Sequence, residues 1–265
     1  MEKNKTLIVG ENSFIGKHLV NFDSISHEKI DQVDLYKYNN VINCAIDPYY
    51  KTQSYKEKND FDFYVGKKSV ENNCHYIMLS TSKIYGNNKL LKIYSENSMT
   101  NPFDYYSENK LITENKLLSN FNEKITILRL SNIFGFEINR TSFVGYIMSQ
   151  MIKDNKIKLT IPENTKRDFL FVNDAIDIIE KVCYNQIEGI FNLSSNFGLQ
   201  AIDIIDNLII GYNKVVVIEK HEQVMDRQFI MDNSKLKNAL QIDIGPFNYD
   251  GVFKNLGEEL ARFGD

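Results

Sequence analysis

The 265-residue chain has no tryptophan, four prolines, three cysteines and four histidines, and these scarcities exclude several classes of protein. Cys44, Cys74 and Cys183 are odd in number and far apart, so a fully paired disulfide framework is excluded and no Cys-x-x-Cys metal spacing exists. His18, His27, His75 and His221 contain no His-x-x-x-His pair, which argues against a tetrahedral zinc site. Excess positive charge is also lacking. Lys plus Arg total 31 against 35 Asp plus Glu, a formal net charge of -4, with no sustained basic tract for nucleic acid or an anionic membrane. Residues 1–10 hold only four apolar side chains before a glycine, too few for a signal-peptide core, and no later run approaches a membrane span. The expectation is a soluble cytoplasmic protein without metal, nucleic-acid or membrane partners.

What is present is a 43% hydrophobic chain, long enough to bury a full core, in which short apolar runs alternate with amphipathic ones. Residues 6–9, Val41-Ile42-Asn43-Cys44-Ala45, Tyr76-Ile77-Met78-Leu79-Ser80 and Ile125-Thr126-Ile127-Leu128-Arg129-Leu130 read as strands buried on both faces. Residues 14–20, 60–72 and 105–119 read as helices between them. This alternation predicts a Rossmann-like, doubly wound parallel sheet. After Phe134 the pattern loosens: helices are predicted over 143–151, 174–184, 199–210 and 251–263, and strands over 167–172, 189–193 and 215–219. No repeat or low-complexity linker divides the chain, so a small C-terminal α/β region is expected to interleave with the main sheet.

Two features suggest chemistry. Gly10-Glu11-Asn12-Ser13-Phe14-Ile15-Gly16 follows a predicted strand and opens a predicted helix, the context of a dinucleotide loop. Gly10 would make the turn, Gly16 would allow close packing, and amides at the helix start would receive a pyrophosphate. Ser13 stands where many such loops have glycine; its Cβ is a steric cost if φ is positive there, and its hydroxyl can donate in compensation. Further on, Ser80-Thr81-Ser82 ends a buried strand, where open parallel sheets place ligands. One helix later Tyr106 and Lys110 lie one turn apart on the same face. A free tyrosine ionises near pH ~10, and an adjacent ammonium favours the phenolate, bringing the phenol into a useful range for proton exchange. Taken singly, a Tyr and a Lys four apart are common by chance and a Thr after a strand is ordinarily a cap. The order of the pieces carries the signal.

In that order the sequence resembles the extended short-chain dehydrogenase/reductases, the NAD-dependent epimerase/dehydratase family acting on nucleotide sugars. Leu128-Arg129-Leu130-Ser131-Asn132-Ile133-Phe134-Gly135, Arg167-Asp168-Phe169 and Asp232-Asn233-Ser234-Lys235 resemble three further family segments. The resemblance implies a nicotinamide dinucleotide, NAD or NADP, in contact with Gly10, Asn12, Ser13, Phe14, Ile15 and Gly16. Cys44 and Ala45 would line its path, and Lys110 would hold its nicotinamide ribose. Tyr106 would be the general acid/base with Thr81 as hydrogen-bonding partner; Thr81, Ser82, Asn132 and Arg167 would meet the nucleotide sugar. A guanidinium suits phosphate oxygens, although an ion pair from Arg167 to Asp168 or Asp174 is the alternative. The resemblance assigns 1–134 and 170–193 to the dinucleotide-binding domain and 135–169 and 194–265 to the nucleotide-sugar domain, and it implies a homodimer through the helices over 60–64 and 105–118.

The chain departs from the family pattern in places besides Ser13. Residues 21–40 are too few for the usual strand, helix and strand, and the acidic residue at the adenosine ribose would be Asp31 or Asp34. Ser82 and Lys83 stand where dehydratases carry Asp-Glu, which disfavours water elimination. Glu222 stands where many relatives have a phosphate-binding Arg, with Lys220 or Arg227 as substitutes. The expected activity is NAD(P)H-dependent reduction of the C4 ketone of a nucleotide-linked keto-deoxy sugar, as in the synthesis of bacterial surface polysaccharides. A 4-epimerase is the alternative and a non-catalytic dinucleotide-binding protein a further one.

Overall fold

A computed structural model describes residues 5–121, 123–138, 142–221, 226–245 and 247–264. In chain order it contains β1 (Thr6–Val9), β2 (Asp23–Ile25), β3 (Asn40–Asn43), α1 (Pro48–Thr52), α2 (Phe61–Glu71), β4 (His75–Thr81), β5 (Lys92–Tyr94) and α3 (Tyr105–Asn120). Then follow β6 (Ile125–Leu130), β7 (Asn132–Phe134), α4 (Phe143–Asp154), β8 (Lys156–Leu159), β9 (Lys166–Phe171), α5 (Val172–Asn185) and β10 (Gly189–Leu193). The remainder is β11 (Gly198–Gln200), α6 (Ala201–Tyr212), β12 (Val217–Lys220), β13 (Phe229–Met231), α7 (Ser234–Leu240) and α8 (Tyr249–Phe263).

The main sheet is parallel throughout, in the order β10-β6-β4-β3-β1-β2. Its central strands are buried on both faces, which is why they read as continuous apolar runs. Ile8, Ile42 and Ile77 face one way and pack with Ile176, Ile179 and Val182 of α5. Leu7, Val41, Tyr76 and Met78 face the other way, onto Val65 of α2 and Leu117 of α3. The expected doubly wound sheet is therefore present. The chain turns from β1 outward to β2 in one direction and to β3, β4, β6 and β10 in the other, so the topological switch point lies between β1 and β3.

A second sheet, β11-β9-β13-β5 with β7 also paired to β9, stands beside it, and β8 and β12 form a ribbon. Helices α4, α6 and α8 share a separate apolar core around Met148, Ile204, Leu208 and Phe253. Strand β5 comes from the first half of the chain but pairs with β13, an excursion that sequence pattern did not reveal.

Two segments differ from expectation. The helix predicted over 14–20 is only a 3₁₀ turn at Gly16–His18, with Val20 exposed. Just 13 residues separate β1 from β2, and the loop at 10–15 leaves too few for a helix to run back along the sheet. Between β2 and β3 two further 3₁₀ turns, His27–Gln32 and Leu35–Lys37, replace the helix and strand for which residues 21–40 had no room. Strand β2 is consequently the edge of the sheet. Among the described residues no helix is long and apolar enough to cross a membrane.

Candidate active site

A cleft of about 820 Å³ opens at the switch point, walled by the loop after β1, the turn after β3, the end of β4 and the start of α3. It brings together Gly10, Asn12, Ser13, Phe14, Ile15, Cys44, Ala45, Tyr106 and Lys110 from the expected set. Gly10 has φ +95°, and a Cβ there would meet Ala45 N at 2.8 Å, so only glycine lets the two loops approach. Gly16 does not line the cleft. A Cβ on it would lie 2.4 Å from Gly10 O, so its role is to let the loop close on itself.

The loop is held differently from a helix-capped phosphate site. The amides of Gly10 and Glu11 donate to Ile25 O, that of Ser13 to Gly10 O, and that of Gly16 to Ser13 Oγ at 3.0 Å. Ser13 is not among the positive-φ residues, so its Cβ carries no backbone strain, and its hydroxyl serves the loop itself. With one 3₁₀ turn in place of a helix, the expected helix-terminus contribution to phosphate binding is absent. The neighbouring Cys44 thiol is pushed up to about 12 by burial, so it stays protonated and serves as a wall.

The inner end of the cleft is built on α3. Asp104 caps the helix by accepting from Ser107 N at 2.8 Å, and its other oxygen accepts from Lys83 Nζ at 2.8 Å. Tyr106 is thereby placed in the first turn, with the Lys110 and Lys83 ammonium groups each 5.9 Å from its ring centroid. The Lys110 side chain is 1% exposed. Its Nζ donates to Asp62 Oδ2 at 2.6 Å and to Leu79 O at 2.8 Å, leaving one of its three protons for the cleft it lines. Burial pulls this ammonium's pKa down, but the charge of Asp62, with Tyr106 and Asp60, outweighs it and holds the pKa above the ordinary value. Thr81 ends β4 beside the cleft without lining it, and accepts from Lys83 N at 3.2 Å, a bond that does not use its own hydroxyl proton.

A family model matches residues 64–194, from within α2 to the residue after β10. The match is to the NAD dependent epimerase/dehydratase family. It bears out the resemblance, although the glycine loop and the Asp232-Asn233-Ser234-Lys235 segment lie outside the matched residues. A curated relative, GDP-6-deoxy-D-talose 4-dehydrogenase of Aggregatibacter actinomycetemcomitans, is 29% identical over 178 residues, 63% of this chain and 58% of the relative. UDP-N-acetylglucosamine 4-epimerase from Methanobrevibacter ruminantium M1, in complex with UDP-N-acetylmuramic acid, is 16% identical with a TM-score of 0.80, covering 97% of this chain and 98% of that one. UDP-glucuronic acid 4-epimerase from Bacillus cereus, in complex with UDP-glucuronic acid and NAD, is 20% identical with a TM-score of 0.77, covering 98% and 99%. RMD from Pseudomonas aeruginosa, complexed with NADPH, is 15% identical with a TM-score of 0.75, covering 98% and 99%. At these identities the structural likenesses establish the fold.

Several residues expected from the family pattern lie elsewhere. Asp31 bonds Lys68 and Tyr64, Asp34 pairs with Lys37 at 3.4 Å, and neither lines the cleft. They belong to the turns that replace the missing helix; His27, at the start of the first turn, reaches the cleft, whereas Asp31 and Asp34 do not line it. Asn132 donates its amide to Asp168 O at 2.9 Å, stitching β7 to β9, and lines neither cavity. Ser82 is buried, and its carbonyl accepts from Arg227 at 2.6 Å. Arg167 pairs with Asp226 rather than with Asp168 or Asp174, and it borders a second cavity of about 220 Å³ with Phe143, Tyr146 and Lys158. Glu222 lies outside the described residues. Of its two possible substitutes, Lys220 pairs with Glu163 at 3.0 Å, whereas Arg227 is buried beside Arg167, whose Nε donates to Arg227 O. Burial lowers the Arg227 guanidinium to about 10, with Tyr94 opposing and Arg167 reinforcing the shift, and its Nε has no hydrogen-bond partner among the described residues.

Sequence reasoning missed Asp62 and Asn43, which support Lys110, and His27, Lys51 and Lys58, which line the outer cleft. Asp62 sits in an ordinary helix start, Asp60-Phe61-Asp62-Phe63, where nothing local signals a partner 48 residues away.

Proposed function

We propose that this chain reduces the C4 ketone of a nucleotide-linked keto-deoxy sugar with NADH or NADPH as cosubstrate. The observation that carries this reading is Tyr106 in the wall of the switch-point cleft, beside a buried Lys110 ammonium with one proton left for a ligand. The cleft suits a dinucleotide: its volume is in the range of cofactor sites, and Gly10 forms a cradle that a Cβ would fill. Gly10, Ser13, Cys44 and Ala45 would hold the dinucleotide along the loops, and Lys110 its ribose. When bound, the reduced nicotinamide supplies a hydride to C4. Tyr106 donates its phenolic proton to the C4 oxygen, Thr81 donates a hydrogen bond to the same oxygen, and Lys110 stabilises the resulting phenolate. Arg167, paired with Asp226, and the buried Arg227, whose guanidinium stacks on Phe229 and donates to Ser82 O, are two neighbouring cations, which suits a diphosphate.

Three further points support reduction. The curated relative is named as a 4-dehydrogenase of a 6-deoxy sugar nucleotide, and dehydrogenation at C4 is ketone reduction in reverse. Lys83, ion-paired with Asp104, is no acid/base substitute for the Asp-Glu of dehydratases. The edge position of β2 leaves the adenosine end with few elements to retain a cofactor through a complete epimerase cycle. Epimerisation is the second reading, favoured by the 4-epimerases among the structural neighbours. Incubation with NADH or NADPH and a dTDP-, CDP- or GDP-4-keto-6-deoxyhexose should consume reduced nicotinamide stoichiometrically. Interconversion of 4-hydroxy nucleotide sugars with no net cofactor change would overturn ketone reduction in favour of the epimerase. Tyr64, Tyr105, Ile112 and Leu118 are exposed on α2 and α3, in keeping with a homodimer through these helices, and a monomeric mass in solution would refute that part.

A further inference from the structure

Asp62 is a buried carboxylate directly behind the cleft, and none of the roles above requires it. Its side chain is 4% exposed, and both oxygens are engaged. Oδ2 accepts from Lys110 Nζ at 2.6 Å; Oδ1 accepts from Asn43 Nδ2 at 2.8 Å and from the Tyr76 hydroxyl at 3.1 Å. The same Asn43 amide brackets Ala45, donating to its carbonyl at 3.0 Å and accepting from its N–H at 3.0 Å. Ala45 belongs to the turn that packs on Gly10 and lines the cleft. One carboxylate on α2 thus joins the lysine on α3 to the loop after β3.

We infer that Asp62 is the positioning residue of this site, fixing the charge and direction of the Lys110 ammonium and tying it to the turn against which the cofactor lies. The inference rests on the functional reading above for what Lys110 does, but not for the existence of the pair. The titratable groups facing Lys110 are Asp62 and Asp60 from α2 and its cap, Tyr106 from α3, Tyr50 from α1, Tyr76 from β4 and Cys44 from the turn after β3. Of the two carboxylates only Asp62 touches the ammonium; Asp60 accepts from Tyr55, Thr113 and Phe63 N. Asp62→Asn would keep the shape and remove the anion. Lys110 would then be buried against one neutral carbonyl, and desolvation would drive it to release its proton as pH rises.

The test is fluorescence titration of NADH and NADPH into wild type and D62N at about pH 6.5 and about pH 9, with thermal melts of wild type, D62N and D62N/K110M. Wild type should bind equally well at both pH values. D62N should bind about tenfold more weakly at the higher pH, the loss of one charge-assisted hydrogen bond. D62N should also melt below D62N/K110M, which has no stranded charge. A D62N protein too unstable to purify beside a folded D62N/K110M would support the pair in the same way. Binding by D62N that is as strong as wild type and flat with pH, or a double variant no more stable than D62N, would overturn the inference. If wild type binds neither dinucleotide, the functional reading fails, while the melts still judge the pair.

Discussion

At the end of the cleft formed by β4 and α3, Lys110 pairs with Asp62 and, one layer behind, Arg129 pairs with Glu114 at 2.7 Å, all four side chains at most 4% exposed. At the β2 end the lining is Ser26, His27, Lys58 and Asn59, carried on short turns, and β2 has no outer neighbour among the described residues. A group that must move a proton needs its position and charge set before the substrate arrives, and buried, multiply bonded ion pairs do that at the cost of desolvation. A group that only clasps a leaving cosubstrate needs neither. The contrast between the ends fits a cofactor that binds, reacts and departs.

The largest test of this contrast is Tyr106→Phe. Removing one proton donor should lower kcat by roughly 100- to 10,000-fold with the fold intact, measured as cofactor consumption beside an unchanged circular dichroism spectrum. Retained turnover would show that the proton comes from elsewhere. Next in size is Glu114→Gln, which strands the Arg129 guanidinium in the core behind Ser80, whose hydroxyl also bonds Glu114. Breaking a buried pair from one side should cost about 3–5 kcal/mol in urea unfolding. A cost near zero would mean that the inner end is no more tightly built than the surface.

Asp168 sharpens the comparison because it is buried with neutral partners only. Oδ1 accepts from Ser195 N at 3.0 Å and Ser195 Oγ at 2.9 Å, and Oδ2 from Met231 N at 3.1 Å. Burial raises its carboxyl to about 7 and these dipoles offset only part of that shift, whereas Asp62 and Glu114 each contact a cation. A folded-state pKa above the unfolded value near ~3.9 means that its contribution to stability is full below about pH 4 and is lost as pH rises towards 7. Burial holds the His75 imidazole down to about 4, which gives a slope of the opposite sign, so the Asp168 effect is read as a difference: relative to wild type, Asp168→Asn should gain stability in urea as pH rises from about 5 to about 7. A difference between the two proteins that is flat over this range would contradict it.

Most of the inner end was legible in the sequence because its markers are local. A buried strand ending in Ser-Thr-Ser and a helix with Tyr106 and Lys110 one turn apart are patterns of period and spacing. The partners of those residues were not legible. Asp62 meets Lys110 only after α2 and α3 pack on the same sheet face, and Arg227 reaches Ser82 across 145 residues. The fold class followed from alternating runs, yet the helix expected over 14–20 failed because apolar spacing cannot report that the chain has too few residues to run back along the sheet. The short strands β2, β5, β7 and β13, three residues each, take their form from neighbours rather than from their own composition.

Asp31 is the smallest test and the most direct for the outer end. Counting from the glycine loop made it a candidate for the adenosine ribose, but its side chain is 65% exposed and lies 2.6 Å from Lys68 Nζ. That contact holds its carboxyl below the usual carboxylate range, with the Tyr64 hydroxyl contributing. Solvent screens a pair this exposed, so Asp31→Ala should change stability by less than about 1 kcal/mol. The KM for NADH should stay the same, because no cofactor contact is removed. A tenfold rise in that KM with no change for the sugar substrate would put Asp31 at the ribose after all. It would also mean that the turns after β2 close over the adenosine when it binds, and the outer end would then be as purposefully built as the inner one.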